Sequence, residues 1–191
     1  MFSLRTLLAA AWCAACTQAL AADPAKIIAY YAPSATPARF YAPADIPAAK
    51  LTHLNYAFAG LVDGEIVLGH PEFDEDLFAR LRELKQQYPQ LKTLISVGGW
   101  AGSKNFSDAA LSDESRARFA DSGVAFIRRH GFDGIDIDWE FPVGGGMAGN
   151  VVRPEDKVNY TLLLRALRER DRKSTRLNSS HIQKSRMPSS A

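Results

Sequence analysis

Hydrophobic residues along the chain fall into short apolar runs that alternate with longer stretches of helical spacing. The apolar runs have the length and composition of buried strands and cover residues 26–32, 51–61, 91–97 and 134–140. Helical spacing covers residues 73–87 and 113–130, and it begins again near Pro154, a residue type favoured in the first turn of a helix. Strands that alternate with helices predict parallel strands joined by crossover helices, so we expect an α/β fold.

Two α/β architectures fit this alternation: a doubly wound sheet and an eight-stranded barrel. The first strand-to-helix junction has no glycine fingerprint for a dinucleotide, which counts against the doubly wound sheet. Candidate chemistry is concentrated where strands end, which favours the barrel. We therefore expect about the first four βα units of a (β/α)8 barrel. Ser112 or Asp113 is expected to cap the 113–130 helix, and Gly131 to end it.

The fourth strand carries the clearest chemical signal in the chain. Carboxylates occupy every second position, at Asp136, Asp138 and Glu140, and bulky apolar residues stand between them. A period of two predicts that the acids share one face of the strand and the apolar residues the other. Helices can bury the apolar face, but unpaired carboxylates are costly to bury, so we expect a functional site on the acidic face.

Two motifs in this chain resemble those of glycoside hydrolase family 18, the chitinase family. The spacing Asp133-x-x-Asp136-x-Asp138-x-Glu140 is similar to the family's DxxDxDxE motif. At the end of the third strand, residues 96–100 read Ser-Val-Gly-Gly-Trp, which is similar to its SxGG element. The resemblance covers about residues 26–168. It implies a TIM barrel, a chitin or N-acetylglucosamine oligosaccharide as substrate, and no cofactor or metal.

The resemblance also implies roles for the acids. Glu140 would protonate the glycosidic oxygen and later activate water as a base. Asp138 would orient the substrate's own acetamido group, which acts as the nucleophile, and Asp136 would share a proton with Asp138. The anomeric configuration would then be retained. Asp133, nearer the start of the strand, is expected to be structural.

Weaker candidates lie near the ends of the first three strands. Tyr30, Phe58 and Trp100 are aromatic residues that would stack on sugar rings or, equally, belong to the core. The motif residues Ser96, Gly98 and Gly99 are expected to let backbone approach backbone beside the acids.

Three other functions stay open on the sequence. A chitinase-like lectin would keep the barrel, although such lectins generally lack the terminal glutamate that is present here as Glu140. An endo-β-N-acetylglucosaminidase would cleave the chitobiose core of N-glycans. A Mg²⁺ or Ca²⁺ site would use the three acids, but EF-hand spacing is missing and strand alternation separates the oxygens.

Residues 1–22 have the three regions of a secretory signal peptide: Arg5, an apolar core, and a small-residue cleavage signal at residues 19–21. A buried N-terminal helix is the alternative. A signal peptide predicts a secreted protein, extracellular or periplasmic. Cys13 and Cys16 both lie in this segment, so the mature protein would have neither a disulfide nor a thiolate metal site. No later segment is apolar enough to span a membrane.

Residues 171–191 lack helical or strand periodicity. Asp171 to His181 resemble, residue for residue, the translation of a common DNA-sequencing adapter, so we expect an adapter-derived and disordered tail. A natural basic tail that binds nucleic acid is the alternative. Without the signal and the tail the chain has 17 basic and 20 acidic residues, a net charge of −3. Nothing in that balance indicates nucleic acid or an anionic membrane as a partner.

These boundaries predict that residues 23–170 form the N-terminal half of a family 18 catalytic barrel. Members of the family also carry a tyrosine on the sixth strand and a tryptophan on the eighth, and this chain contains neither position. Four strands cannot close a barrel and leave open edges. We therefore expect the 191-residue chain to be inactive and prone to aggregate by itself, and the complete protein to be a monomer.

Overall fold

The computed structural model describes residues 25–33 and 41–185, with side chains as far as residue 173. Its strands are β1 (Ile28–Tyr31), β2 (His53–Val62), β3 (Glu65–Val67), β4 (Lys92–Gly98) and β5 (Gly134–Asp138). Its helices are α1 (Asp74–Gln87), α2 (Gly99–Gly102), α3 (Phe106–Ala109), α4 (Asp113–His130) and α5 (Asp156–Ser185), and 3-10 turns cover Pro43–Asp45 and Ala48–Lys50. The predicted signal peptide lies outside the described residues.

Four strands form a parallel sheet in the order β1-β2-β4-β5, so the predicted α/β class is confirmed. The short strand β3 was not predicted. It pairs antiparallel with β2 after a turn at Asp63 and Gly64, which both have positive φ. Three residues are too few to show a periodic pattern, so the Asp-Gly turn was the only indication of this hairpin in the sequence.

Alternate residues of each strand face opposite sides of the sheet. One side is apolar and lies under the helices: Tyr56 and Ile95 are fully buried there, and Phe78 of α1 meets the Tyr56 ring edge-on at 4.8 Å. The other side, called the lumen face below, carries the polar positions of the strands. Sequence alternation thus separates a packing surface from a chemical surface.

Helix α4 has the boundaries that its terminal residues predict. Ser112 is the N-cap, and its hydroxyl accepts the N–H of Ser115 while the Ser115 hydroxyl accepts the N–H of Ser112. Gly131 ends the helix with a φ of 81°. The left-handed conformation of Gly131 turns the chain from the end of α4 toward β5.

Two predicted boundaries were wrong. Strand β5 ends at Asp138 rather than Glu140, because its neighbour β4 ends at Gly98 and offers no further backbone partner. Helix α5 does not stop at residue 170 but continues to Ser185, so residues 171–185 are helical rather than disordered. Packing of the fully buried Leu163 anchors this helix, and no glycine or proline interrupts it before its end.

Candidate active site

Asp136 and Asp138 lie on the lumen face of β5, near its carboxyl end. Their register partners on β4 are Ser96 and Gly98. Because the strands are parallel, the ends of β4 and β5 meet at the same edge of the sheet. The two motifs of the sequence therefore form one site.

Two hydroxyl groups donate hydrogen bonds to the same oxygen of Asp136. The Tyr30 phenol lies 2.7 Å from Oδ2 and the Ser96 hydroxyl lies 2.8 Å from it. Burial, together with the neighbouring Asp136 carboxylate, raises the pKa of Tyr30, so the phenol stays protonated and donates at neutral pH. Ser96 is fully buried and acts through its hydroxyl, whereas the sequence suggested only a small residue for close backbone approach. These donors stabilise negative charge on Asp136.

Asp138 has a raised pKa. Partial burial is the larger cause, since it penalises the ionised carboxylate, and the charge of Asp136 is the second cause. Asp138 therefore holds its proton to higher pH than an ordinary aspartate does. A protonated carboxyl can donate a hydrogen bond as well as accept one.

Glu140 follows the strand end and is half-buried. Its carboxylate has no hydrogen bond or ion pair with the described residues, and its backbone is held by two side chains, Ser103 and Asn150. The preceding Trp139 is buried and stacks on the Phe106 ring at 5.4 Å. Glu140 thus presents an unpaired acid at the same edge of the sheet as the two aspartates.

Gly98 and Gly99 give the close approach that the sequence predicts. A Cβ on Gly98 would lie 2.2 Å from the Asp138 carbonyl oxygen, and one on Gly99 would lie 2.8 Å from the Phe58 ring. Both glycines also have positive φ, at 113° and 72°. Phe58 packs on this turn, while Trp100 stands on α2 with its side chain 56% exposed. Of the candidate aromatics, Trp100 and Tyr30 are the ones whose rings are open to a ligand.

Asp133 lies at the opposite end of β5, away from the carboxyl edge. Its Oδ2 accepts the Thr93 N–H at 2.8 Å and lies 2.7 Å from the Lys85 ammonium, and Lys92 is 3.9 Å from Oδ1. Burial by itself would raise the pKa of Asp133, but the bonds from Lys85 and Thr93 and the lysine charges outweigh it and lower the pKa. These contacts tie β5 to α1 and β4.

Four residues near the acids were missed by sequence reasoning. They are Ser103 and Asn150 beside Glu140, Asn55, and Tyr160. Asn55 shares the parity of the lumen positions on β2, which was a usable signal, and its buried Oδ1 has no partner among the described residues. Burial, followed by the charges of the two aspartates, raises the pKa of Tyr160. Ser103, Asn150 and Tyr160 belong to no recognisable spacing.

In the described part of the chain, no three histidine, cysteine, aspartate or glutamate side chains are arranged to hold a metal ion. None of the helices in that part combines the length and apolar character needed to cross a bilayer.

The sequence and the fold of this chain are similar to those of known proteins. The sequence matches the family described as Glycosyl hydrolases family 18 over residues 26–187. Chitinase A1 of Niallia circulans is 42% identical over 195 residues, which cover 78% of this chain and 28% of Chitinase A1. Among solved structures, chitinase ChiA74 from Bacillus thuringiensis superposes with a TM-score of 0.72 at 37% identity, over 76% of this chain and 32% of ChiA74.

A further solved structure broadens the range of activities among similar proteins. A family 18 N-acetylglucosaminidase from Paenibacillus barengoltzii has a TM-score of 0.67 and 36% identity, over 80% of this chain and 42% of its own. The chain therefore spans less than half the length of each of these relatives.

Proposed function

Because the chain belongs to glycosyl hydrolases family 18 and folds as part of its (β/α)8 barrel, we propose that the complete protein hydrolyses chitin. The bonds cleaved are β-1,4 linkages between N-acetylglucosamine units of chitin or chito-oligosaccharides. The observation that carries the proposal is the arrangement of Asp136, Asp138 and Glu140 at the carboxyl edge of the sheet. Relatives named as chitinases support the same substrate class.

The proposed reaction is a retaining, substrate-assisted hydrolysis. Glu140 donates its proton to the glycosidic oxygen, and the carbonyl oxygen of the substrate's acetamido group attacks the anomeric carbon. Asp138 hydrogen-bonds the acetamido N–H and stabilises the cyclic oxazolinium intermediate. Glu140 then takes a proton from the water that opens this ring, and the original anomeric configuration returns.

The proton balance between the aspartates supports this cycle. Asp136 is held by two hydroxyl donors, which favour its charge, while Asp138 holds its proton to raised pH. In the proposed cycle Asp138 gives up this proton to the neighbouring Asp136 when it accepts the acetamido N–H, so that the two aspartates share one proton.

The complete protein is also proposed to act as a secreted monomer. Secretion rests on the signal-peptide pattern in residues 1–22, with Arg5 before the apolar core. N-terminal sequencing of the exported protein should find a mature start near residue 23. A start at Met1 would count against export by this route.

Activity is proposed for the complete protein and not for the 191-residue chain, because the described sheet leaves β1 and β5 without outer neighbours. Resequencing the locus past Arg170 gives the complete gene product. That product should release chitobiose-type fragments from chito-oligosaccharides with retained configuration, measured by NMR of the fresh anomer, while the short chain should not. Turnover by a soluble, monomeric short chain would refute the proposed inactivity, and inverted or absent products from the complete protein would refute the mechanism.

An N-acetylglucosaminidase is the second candidate, favoured by the similarity to the Paenibacillus barengoltzii enzyme. It would act on chain ends or on N-glycans. Parallel assays separate the two functions. A chitinase should cleave chitohexaose at internal bonds. An N-acetylglucosaminidase should instead release single sugars from chitohexaose or intact glycans from an N-glycoprotein.

A further inference from the structure

The parallel ladder between β4 and β5 stops one residue before Trp139. Its last register pair is Gly98 with Asp138, after which the chain at Gly99 turns into α2. Beyond this point β4 offers no backbone groups to β5, yet Glu140 follows only two residues later. The backbone between the two acids therefore needs other partners to have a defined position.

Ser103 supplies those partners with a single hydroxyl group. Its Oγ accepts the N–H of Glu140 at 2.8 Å and donates to the Gly99 carbonyl at 2.8 Å, with the Asp138 carbonyl as a second acceptor at 3.2 Å. Ser103 is fully buried. One side chain thus contacts the peptide groups on both sides of Trp139, where a neighbouring strand would otherwise lie.

Asn150 holds the other backbone group of Glu140. Its Nδ2 donates to the Glu140 carbonyl at 2.9 Å. Gly146 closes over the same oxygen, since a Cβ on Gly146 would lie only 2.0 Å from it. The N–H and the C=O of Glu140 are therefore fixed from two different loops, while its carboxylate has no partner among the described residues.

We propose that Ser103 and Asn150 are positioning residues that aim Glu140 at the glycosidic oxygen by fixing its backbone. This inference rests on the proposed function, in which Glu140 is the proton donor. An acid with no hydrogen bond of its own gets its position from its main chain and the rotamers that the chain allows. Small errors in the position of a proton donor lower the rate of the chemical step more than they weaken substrate binding.

Alanine variants of the two residues in the complete gene product test this role. Ser103→Ala and Asn150→Ala should each lower kcat by about tenfold to a hundredfold while KM changes less than about twofold, because both side chains bond the Glu140 backbone and act through it. Ser103→Thr keeps the hydroxyl and should recover most of the lost kcat. Exchange of the Glu140 amide hydrogen, followed by NMR, should be faster in Ser103→Ala than in the parent.

Two matched controls remove the same chemistry elsewhere. Ser107→Ala deletes another fully buried hydroxyl, which donates to Asp156 at 2.7 Å. Asn105→Ala deletes another side-chain amide that donates to a backbone carbonyl, that of Leu61 at 3.3 Å. Both controls should keep the parent's kcat and the parent's exchange rate at Glu140.

Several outcomes would overturn the inference. The first is a kcat within twofold of the controls for both Ser103→Ala and Asn150→Ala. The second is a change in KM with no change in kcat. The third is a folded Ser103→Thr variant with a kcat as low as that of Ser103→Ala. If Ser103→Ala does not fold, Asn150→Ala decides, since Asn150 lies in a loop. A parent that cleaves no chito-oligosaccharide overturns the proposed function and this role with it, whereas an active parent with insensitive variants overturns only this role.

Discussion

The Tyr30 hydroxyl donates to Asp136 across the full width of the parallel sheet. Tyr30 is on β1 and Asp136 on β5, which are the two outer strands, with β2 and β4 between them. In a flat sheet the outer strands would be about 14 Å apart, and their side chains would stand perpendicular to the sheet and not meet. A contact of 2.7 Å therefore shows that these four strands already curve as a barrel wall does.

Removing that hydroxyl should slow catalysis by the complete protein without unfolding it. Tyr30→Phe leaves the ring in place and removes one of the two donors to Asp136, so the charge of Asp136 is stabilised less. We expect kcat/KM to fall about tenfold, the effect of roughly 1.4 kcal/mol. Tyr41→Phe removes a hydroxyl that donates to the Asp45 carbonyl, and it should retain parent activity. Equal activity of the two variants would contradict a role for Tyr30 at Asp136.

Glu140→Gln in the complete protein distinguishes a catalyst from a lectin. Glutamine keeps the size of the side chain but cannot donate an acidic proton, so turnover of chito-oligosaccharides should fall by at least about a hundredfold. Binding of the same oligosaccharide, measured by calorimetry, should stay within a few-fold of the parent. Glu155→Gln at an exposed loop position is the matched control and should remain active. Unchanged turnover in Glu140→Gln would exclude this residue as the acid.

Asp138→Asn should stabilise the fold at neutral pH while it damages catalysis. Because the folded protein raises the pKa of Asp138 above its ordinary value of 3.8, folding is opposed by the ionised carboxylate, and stability falls as pH rises past that value. The neutral amide removes this penalty. Urea unfolding at pH 7 should show a higher midpoint for the variant, and the difference should shrink toward pH 3. A variant that is less stable at pH 7 would contradict this sign.

Lys85→Met should destabilise the opposite end of β5. The Lys85–Asp133 pair is mostly shielded, with side chains 22% and 28% exposed, so its loss should cost about 1–2 kcal/mol of unfolding free energy. Asp133 has a lowered pKa, so its contribution is present above pH 3.8 and is lost as pH falls below that value. Lys92→Met, which removes a pair at 3.9 Å with a more exposed lysine, should cost less than about 0.5 kcal/mol. Equal losses would contradict the ranking of the two pairs.

Buried His130 should give the protein a loss of stability in mild acid. Burial lowers the pKa of His130 below its usual 6.5, more than the nearby Glu75 carboxylate raises it. The unfolded chain therefore takes up a proton first as pH falls below 6.5, and stability decreases from there downward. His130→Gln should flatten the dependence of the unfolding midpoint between pH 7.5 and 5.5, whatever its effect on absolute stability. An unchanged slope in His130→Gln would contradict this assignment.

Strands and long helices were predictable because their periodicity follows from burial on one side. The 113–130 helix and its caps at Ser112 and Gly131 were located from residue types that satisfy free helix ends. The shortest elements were missed, since α2, α3 and β3 are shorter than the window in which a period can be counted. The end of α5 was placed too early because helix propagation from a packed segment does not require an amphipathic pattern.

The placement of the two aspartates on β5 could be predicted from the sequence, but the contacts that support the acids could not. Asp136 and Asp138 follow from strand alternation, which is a local rule. Tyr30 meets Asp136 only through the curvature of the whole sheet, 106 residues along the chain, and Ser103 meets Glu140 only because β4 ends where it does. Contacts that depend on sheet curvature and on strand ends have no characteristic spacing in the sequence. Tyr30 was therefore predicted only as an aromatic ring for sugar stacking, and Ser103 was not predicted at all.

Strand β5 is held at its N-terminal end by the ion pair between Lys85 and Asp133. At its C-terminal end it is held by Ser103, which bonds the backbone around Trp139. The number of residues between these two contacts is therefore fixed. Conservative substitutions of the isoleucines in this segment should be tolerated by the packing around them. Insertion of a single residue would instead turn Asp138 toward the helices and break one of the two contacts. The side chains of this segment can therefore change in evolution or by engineering, but its number of residues cannot.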